Sequence, residues 1–154
     1  MAGLFTIDAS VFVAAYRTQE ACCAISREVL RLVREANVPL IEPAILPVEI
    51  AAALAHAGEN SPWAAEYAES VMGLPYLSLQ PLDEPTARRA LAVATQCRLR
   101  GADALYVTAA AQYGARLVTL DAEQLERAPA SVAACKPDAA AELLRAADSR
   151  RDST

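Results

Sequence analysis

Aromatic side chains make up only 5% of this chain of 154 residues, and it has one histidine, His56, and one lysine, Lys136. So few aromatics argue against a platform on which nucleic-acid bases stack. No apolar run approaches the roughly 18 residues of a membrane span. The N-terminus has neither the basic region nor the long apolar core of a secretory signal, so a cytoplasmic protein with no membrane association is expected. Five glycines are thinly spread and no segment of roughly 20 to 50 residues recurs, which argues against a repeat architecture. Cys22, Cys23, Cys97 and Cys135 form no C-x-x-C and no paired metal spacing, so reduced, mostly buried thiols are expected.

Basic charge is also short. Fourteen Lys and Arg face nineteen Asp and Glu, for a net charge of −5. That balance argues against a broad electrostatic grip on nucleic acid. It leaves RNA open as a substrate, because metal-binding acids contribute negative charge that a bound metal offsets. All the basic residues but Lys136 are arginines, suited to bidentate phosphate or carboxylate contacts.

Hydrophobic residues are plentiful, at 55% with a mean hydropathy of +0.19. A chain of this length and composition makes one domain with a substantial core. Residues 1–148 are assigned to that domain and 149–154 to a polar, frayed tail. Short apolar strands are expected at 4–7, 39–42, 76–80, 116–120 and 131–135. Between them lie helical patterns at 10–16, 20–36, 48–57, 61–72, 84–97, 103–113 and 122–127, and a last helix spans 137–147. Ser10 and Asp83 are read as N-caps, Pro47 as a first-turn residue, and Gly58 and Gly114 as stops. Strands alternating with helices specify an α/β fold with a mostly parallel sheet of four or five strands, covered on both faces.

Four acids stand out in that frame. Asp8 and Asp121 follow strands, while Glu49 and Asp103 open helices. Each alone has an ordinary explanation as a cap or a first-turn residue. Together they occupy one edge of a doubly wound sheet, where ligands bind. Two carboxylates about 5 Å apart repel by about 3 kcal/mol at an effective dielectric near 20. Four in one place therefore need protons or a cation, and Mg²⁺ or Mn²⁺ suits an all-oxygen donor set. Ser10 and Thr119 stand beside them as hydroxyls able to orient ligands or water.

The segments Thr6-Ile7-Asp8-Ala9-Ser10, Pro47-Val48-Glu49-Ile50, Gly101-Ala102-Asp103-Ala104-Leu105-Tyr106 and Val118-Thr119-Leu120-Asp121 resemble, in order and spacing, the acidic motifs of PIN-domain ribonucleases. The pattern is most similar to the VapC-type toxins of toxin–antitoxin pairs. The resemblance implies a three-layer α/β/α sandwich and an endoribonuclease dependent on Mg²⁺ or Mn²⁺. It implies that Asp8, Glu49, Asp103 and Asp121 hold the metal and carry catalysis, with Ser10 and Thr119 in support. It also implies a homodimer, an RNA substrate and a small cognate antitoxin. The alternatives are an RNA-processing nuclease outside such a pair, or a degenerate domain that binds RNA or a partner without cutting.

Other candidates are weaker. Arg88, Arg89, Arg98 and Arg100 are read as a solvated face with a possible phosphate role. His56 lies seven residues after Glu49, about 10.5 Å along a helix, too far to share one ion. Trp63 and Tyr67 are read as core packing in preference to a groove completed by Met72. Lys136-Pro137, with Asp8, Asp83 and Thr119, is similar to part of a receiver-domain site. Asp8 lacks the neighbouring acid such a site needs, and Glu49 and Asp103 would be left without a role.

Overall fold

The computed structural model describes residues 3–151. Strand β1, Phe5–Ile7, is buried at all three positions, as expected of a parallel strand covered on both faces. It ends on Asp8, whose carboxylate accepts from the Ser10 amide and caps helix α1, Ala9–Tyr16. The cap is therefore Asp8 and not Ser10. Asp8 has the extended backbone of a capping residue, and its oxygen reaches the second helical amide. Helix α2, Cys23–Glu35, begins three residues later than its pattern suggests. Arg17 pairs with both Glu20 and Glu59 and holds the intervening turn out of the helix.

Strand β2, Leu40–Pro43, leads to helix α3, Leu46–His56, with Pro47 in its first turn. Helix α4, Ser61–Met72, is capped by Asn60, and strand β3, Leu77–Gln80, follows. Helix α5, Glu84–Cys97, has both of its expected bounds and its expected cap, Asp83. Helix α6, Gly101–Tyr113, is buried at seven consecutive residues from Ala104 to Ala110. It has no single apolar stripe because it lies against β1, β2 and the next strand, under helix α5.

Strand β4, Arg116–Val118, stops two residues short of expectation. Hydroxyls take over the donors that would extend it. Leu120 N–H donates to Ser10 Oγ, and Asp121 N–H to Thr119 Oγ1. Helix α7, Ala122–Arg127, strand β5, Ala134–Cys135, and helix α8, Pro137–Arg151, complete the chain. Helix α8 continues four residues past its expected end, into the stretch read as a frayed tail. Residues 152–154 of that tail lie outside the described residues.

The five strands are ordered β3-β2-β1-β4-β5, and every pairing is parallel. The result is a three-layer α/β/α sandwich, with the sheet wholly and not just mostly parallel. The chain builds outward from β1 to β3 and then crosses back to β4 on the other side of β1. A crevice opens at such a reversal, at the C-terminal ends of β1 and β4. Among the described residues no helix is long and apolar enough to cross a membrane.

Gly114 ends α6 with φ +63°, in the left-handed region. A Cβ there would meet nothing within 4 Å, so only backbone strain opposes one. Gly114→Ala is expected to lower stability by about 1 kcal/mol in a urea titration. An unchanged midpoint would contradict the assigned backbone.

Candidate active site

At that crevice the β1 and β4 ends are joined directly: Asp8 N–H donates to Val118 O over 2.9 Å. Asp8 is 5% exposed. Its Oδ2 accepts from Ser10 N–H at 3.0 Å, and its Oδ1 from Gln124 Nε2 at 3.0 Å. Asp103 stands in the first turn of α6, and its Oδ1 accepts from the same Gln124 nitrogen at 2.9 Å. Asp121 caps α7 by accepting from Gln124 N–H at 2.8 Å. Glu49, in the first turn of α3, is half-buried. Asp8, Glu49, Asp103 and Asp121 all line one cavity of about 570 Å³, together with Ser10, Glu20 and Cys22. The structure therefore brings the four acids singled out in the sequence to one place.

Ser10 and Thr119 tie the loops around that cavity. Each hydroxyl accepts a backbone N–H from the segment after β4. Thr119 is fully buried and is absent from the cavity lining.

The charges are crowded. Burial raises the Glu49 pKa above the usual carboxylate value. The Tyr106 hydroxyl opposes this, and the nearby charges of Asp8 and Asp103 add to it. Burial also raises Asp103, with Gln124 and Arg100 opposing and Asp121 and Asp8 adding. Tyr106 is fully buried, and its hydroxyl bears on Glu49 without a hydrogen bond of full geometry. Burial first, then the charges of Glu49 and Asp8, push its phenol up, so it stays protonated.

Below the cavity lies a fifth acid. Glu42 on β2 is fully buried, and its Oε1 accepts from Ile7 N–H at 2.6 Å while its Oε2 has no partner. Burial pushes its pKa well above the usual value. The Ile7 bond opposes that shift and the Asp8 charge adds to it. Such enclosure disfavours the charged form of this carboxyl.

The donor set is what a hard divalent cation prefers, because all four acids offer carboxylate oxygens. The cavity is not closed around an ion. Among the described residues no three His, Cys, Asp or Glu side chains stand where they would ligate one ion together. Gln124 explains part of this. Acceptors on the two N–H bonds of one amide lie about 5 Å apart, whereas two oxygens on one Mg²⁺ are at most about 4.2 Å apart. The Oδ1 atoms of Asp8 and Asp103 therefore face the amide, and a cation would draw on the remaining oxygens or on water.

Gln124, Glu42 and the Tyr106 hydroxyl escape sequence reasoning as parts of this site. Gln124 did carry a signal, being three residues after a capping acid, the spacing of a local capping box. That signal points to the wrong contact, since its side chain crosses to β1 and α6. Glu42 gave no such signal, because in the sequence it stands at the end of the strand expected at 39–42, where a charge is ordinary.

The weaker candidates disperse. His56 is exposed at the far end of α3 and does not line the cavity. Arg88 pairs with Glu84, Arg89 reaches Gln112, and the Arg98 carbonyl accepts from Arg127. Arg100 bears on Asp103, an acid of the site. Lys136 and Asp83 are absent from the cavity lining. Trp63 is 63% exposed, which corrects its reading as core. Ala64, Ala68 and Val71 form the inward face of α4 and leave Trp63 outside. Tyr67 does pack inward, donating to Phe12 O at 2.9 Å and lying 4.9 Å from the Tyr16 ring.

A family model described as PIN domain matches residues 5–130. Among solved structures, PAE2754 from Pyrobaculum aerophilum is 23% identical with a TM-score of 0.67, covering 95% of this chain and 98% of that one. VapC20 from Mycobacterium tuberculosis, described as a sarcin-ricin loop cleaving toxin, is 14% identical with a TM-score of 0.67, covering 84% and 98%. VapBC2 from Rickettsia felis, bound to a DNA fragment from its promoter, is 13% identical with a TM-score of 0.64, covering 86% and 98%. At these identities the likeness is one of fold. No curated protein matches the chain.

Proposed function

This chain belongs to the PIN domain family, and from that premise we propose that it is an endoribonuclease dependent on Mg²⁺ or Mn²⁺, the toxin of a toxin–antitoxin pair. One observation carries the reading. Four carboxylates from the ends of β1 and β4 and the first turns of α3 and α6 line a single cavity at the reversal of strand order. Burial makes two of them, Glu49 and Asp103, poorer hosts for their own charge. A divalent cation relieves that cost, and an all-oxygen donor set selects Mg²⁺ or Mn²⁺ over softer metals.

Asp8, Glu49, Asp103 and Asp121 would hold the ion, directly or through water. When bound, it supplies the Lewis acidity that phosphodiester hydrolysis requires. Ser10 and Thr119 fix the β4 loop on which Asp121 stands. Arg100 places positive charge near Asp103 that suits a substrate phosphate. With a net charge of −5, RNA selection rests on such local contacts and on RNA shape. The toxin assignment draws support from the VapC and VapBC structures with this fold. It brings with it a small antitoxin partner, a homodimer and a cytoplasmic setting.

Purified protein is expected to cleave RNA with Mg²⁺ or Mn²⁺ and to lose that activity in EDTA. Cleavage that persists in EDTA, or no cleavage of total cellular RNA with either metal, would contradict the reading. Growth arrest on expression, relieved by a neighbouring small gene, would separate a toxin from an RNA-processing enzyme.

A further inference from the structure

Gln124 touches three of the four acids. Its backbone N–H donates to Asp121, and the two protons of its side-chain amide go to Asp8 and Asp103. The capping of α7 needs only the backbone bond, so it does not explain the side chain. Gln124 is fully buried, and its Oε1 has no hydrogen-bond partner. A residue retained only for packing would avoid that orphaned acceptor, since an apolar side chain fills the same space without it.

The amide also has a chemical logic. Arg or Lys between two carboxylates would cancel their charge and compete with a cation. A neutral amide orients both carboxylates and leaves their negative charge intact for an incoming ion. Asp8 is further fixed by Ser10 N–H, so both of its oxygens have a set direction.

We propose that Gln124 is a positioning residue of the site, its side-chain amide holding Asp8 and Asp103 in the orientation from which they take up a divalent cation. This rests on the divalent-cation reading above. Partners that hydrogen-bond metal-ligating carboxylates commonly contribute 10- to 100-fold to metal affinity or activity.

The test is Mn²⁺ binding by full-length wild-type protein and by Gln124→Met, followed by the electron paramagnetic resonance signal of free Mn²⁺. Gln124→Met keeps length and burial and removes both donors. Its Mn²⁺ affinity is expected to fall by about 10- to 100-fold while its circular dichroism spectrum is unchanged. Affinity within about twofold of wild type would overturn the proposal.

If Gln124→Met does not fold, ¹⁵N-labelled wild type gives the answer. The Gln124 side-chain amide signals are expected to be protected from solvent exchange and to shift when Mg²⁺ is added. Free exchange without a shift would overturn the proposal. Wild type that binds Mn²⁺ but cuts no RNA would overturn the nuclease reading alone, with the Mn²⁺ affinities still deciding the role of Gln124.

Discussion

Asp8→Asn and Asp103→Asn are each expected to lower metal-dependent RNA cleavage by more than about a hundredfold, beyond what loss of an outer hydrogen-bond partner costs. Both changes keep the side-chain shape and remove one negative charge. In Asp103→Asn, Gln124 still donates to the remaining carbonyl oxygen. Asp8 accepts on both oxygens, from Gln124 and from Ser10 N–H, so Asp8→Asn sets its new amide against one of those donors. Removing a carboxylate from a crowded cavity also relieves repulsion, which already contributes to the raised pKa of Glu49 and Asp103. In metal-free buffer Asp103→Asn should therefore melt no lower than wild type, whereas Asp8→Asn also gives up one of the two bonds its carboxylate accepts. In Asp103→Asn activity would be lost without loss of fold, a combination that a purely structural role for this acid does not give. Full activity in either purified variant would refute the assigned roles.

The second large effect is an inverted dependence of stability on pH. Glu42, Glu49 and Asp103 all have folded-state pKa values above the ordinary carboxylate value, with burial the first cause of each. An acid of this kind binds its proton more tightly when folded. Its contribution to stability is fully present below the ordinary carboxylate range near pH 4 and is lost as pH rises through the raised folded value. Each unit of upward shift is worth about 1.4 kcal/mol.

The opposing surface pairs act elsewhere on the scale. Glu28, held by Arg31 and Arg145, has its pKa lowered to about 2, so its contribution is lost only as pH falls below about 4. Between pH 5 and pH 8 the raised acids decide the sign. In metal-free buffer, urea titrations are expected to give higher stability at pH 5 than at pH 8. Glu42→Gln retains an acceptor for Ile7 N–H and removes the titrating group, so it should flatten the slope. Mg²⁺ should stabilise more at pH 8 than at pH 5. Stability that climbs steadily from pH 5 to pH 8 in wild type would contradict the assignment.

What was legible in the sequence was local. Helix α5 could be bounded to the residue, because Asp83 supplies a side-chain cap and Pro85 suits the first turn. The order of elements followed from alternation of apolar strands and helical stripes. Boundaries slipped where distant side chains intervened. Ser10 Oγ takes the Leu120 amide across 110 residues and ends β4 early.

The site divides along the same line. Asp8, Glu49, Asp103 and Asp121 could be found because each has a fixed place at a strand end or a helix start, and parallel topology gathers those places at one edge. Gln124 could not be found, because its partner Asp8 is 116 residues away and depends on how a short helix docks. Glu42 reads as the polar end of a strand until its neighbour β1 is known to enclose it. Trp63 was misread because a large apolar residue suggests core, whereas small alanines on α4 make the contact.

The central claim is that the four acids share one divalent cation. A crystal structure grown with Mn²⁺ and measured at the Mn absorption edge tests it directly. The account predicts an anomalous peak within coordination distance, direct or through one water, of Asp8, Glu49, Asp103 and Asp121. A well-ordered cavity with no such peak at saturating Mn²⁺ would contradict it.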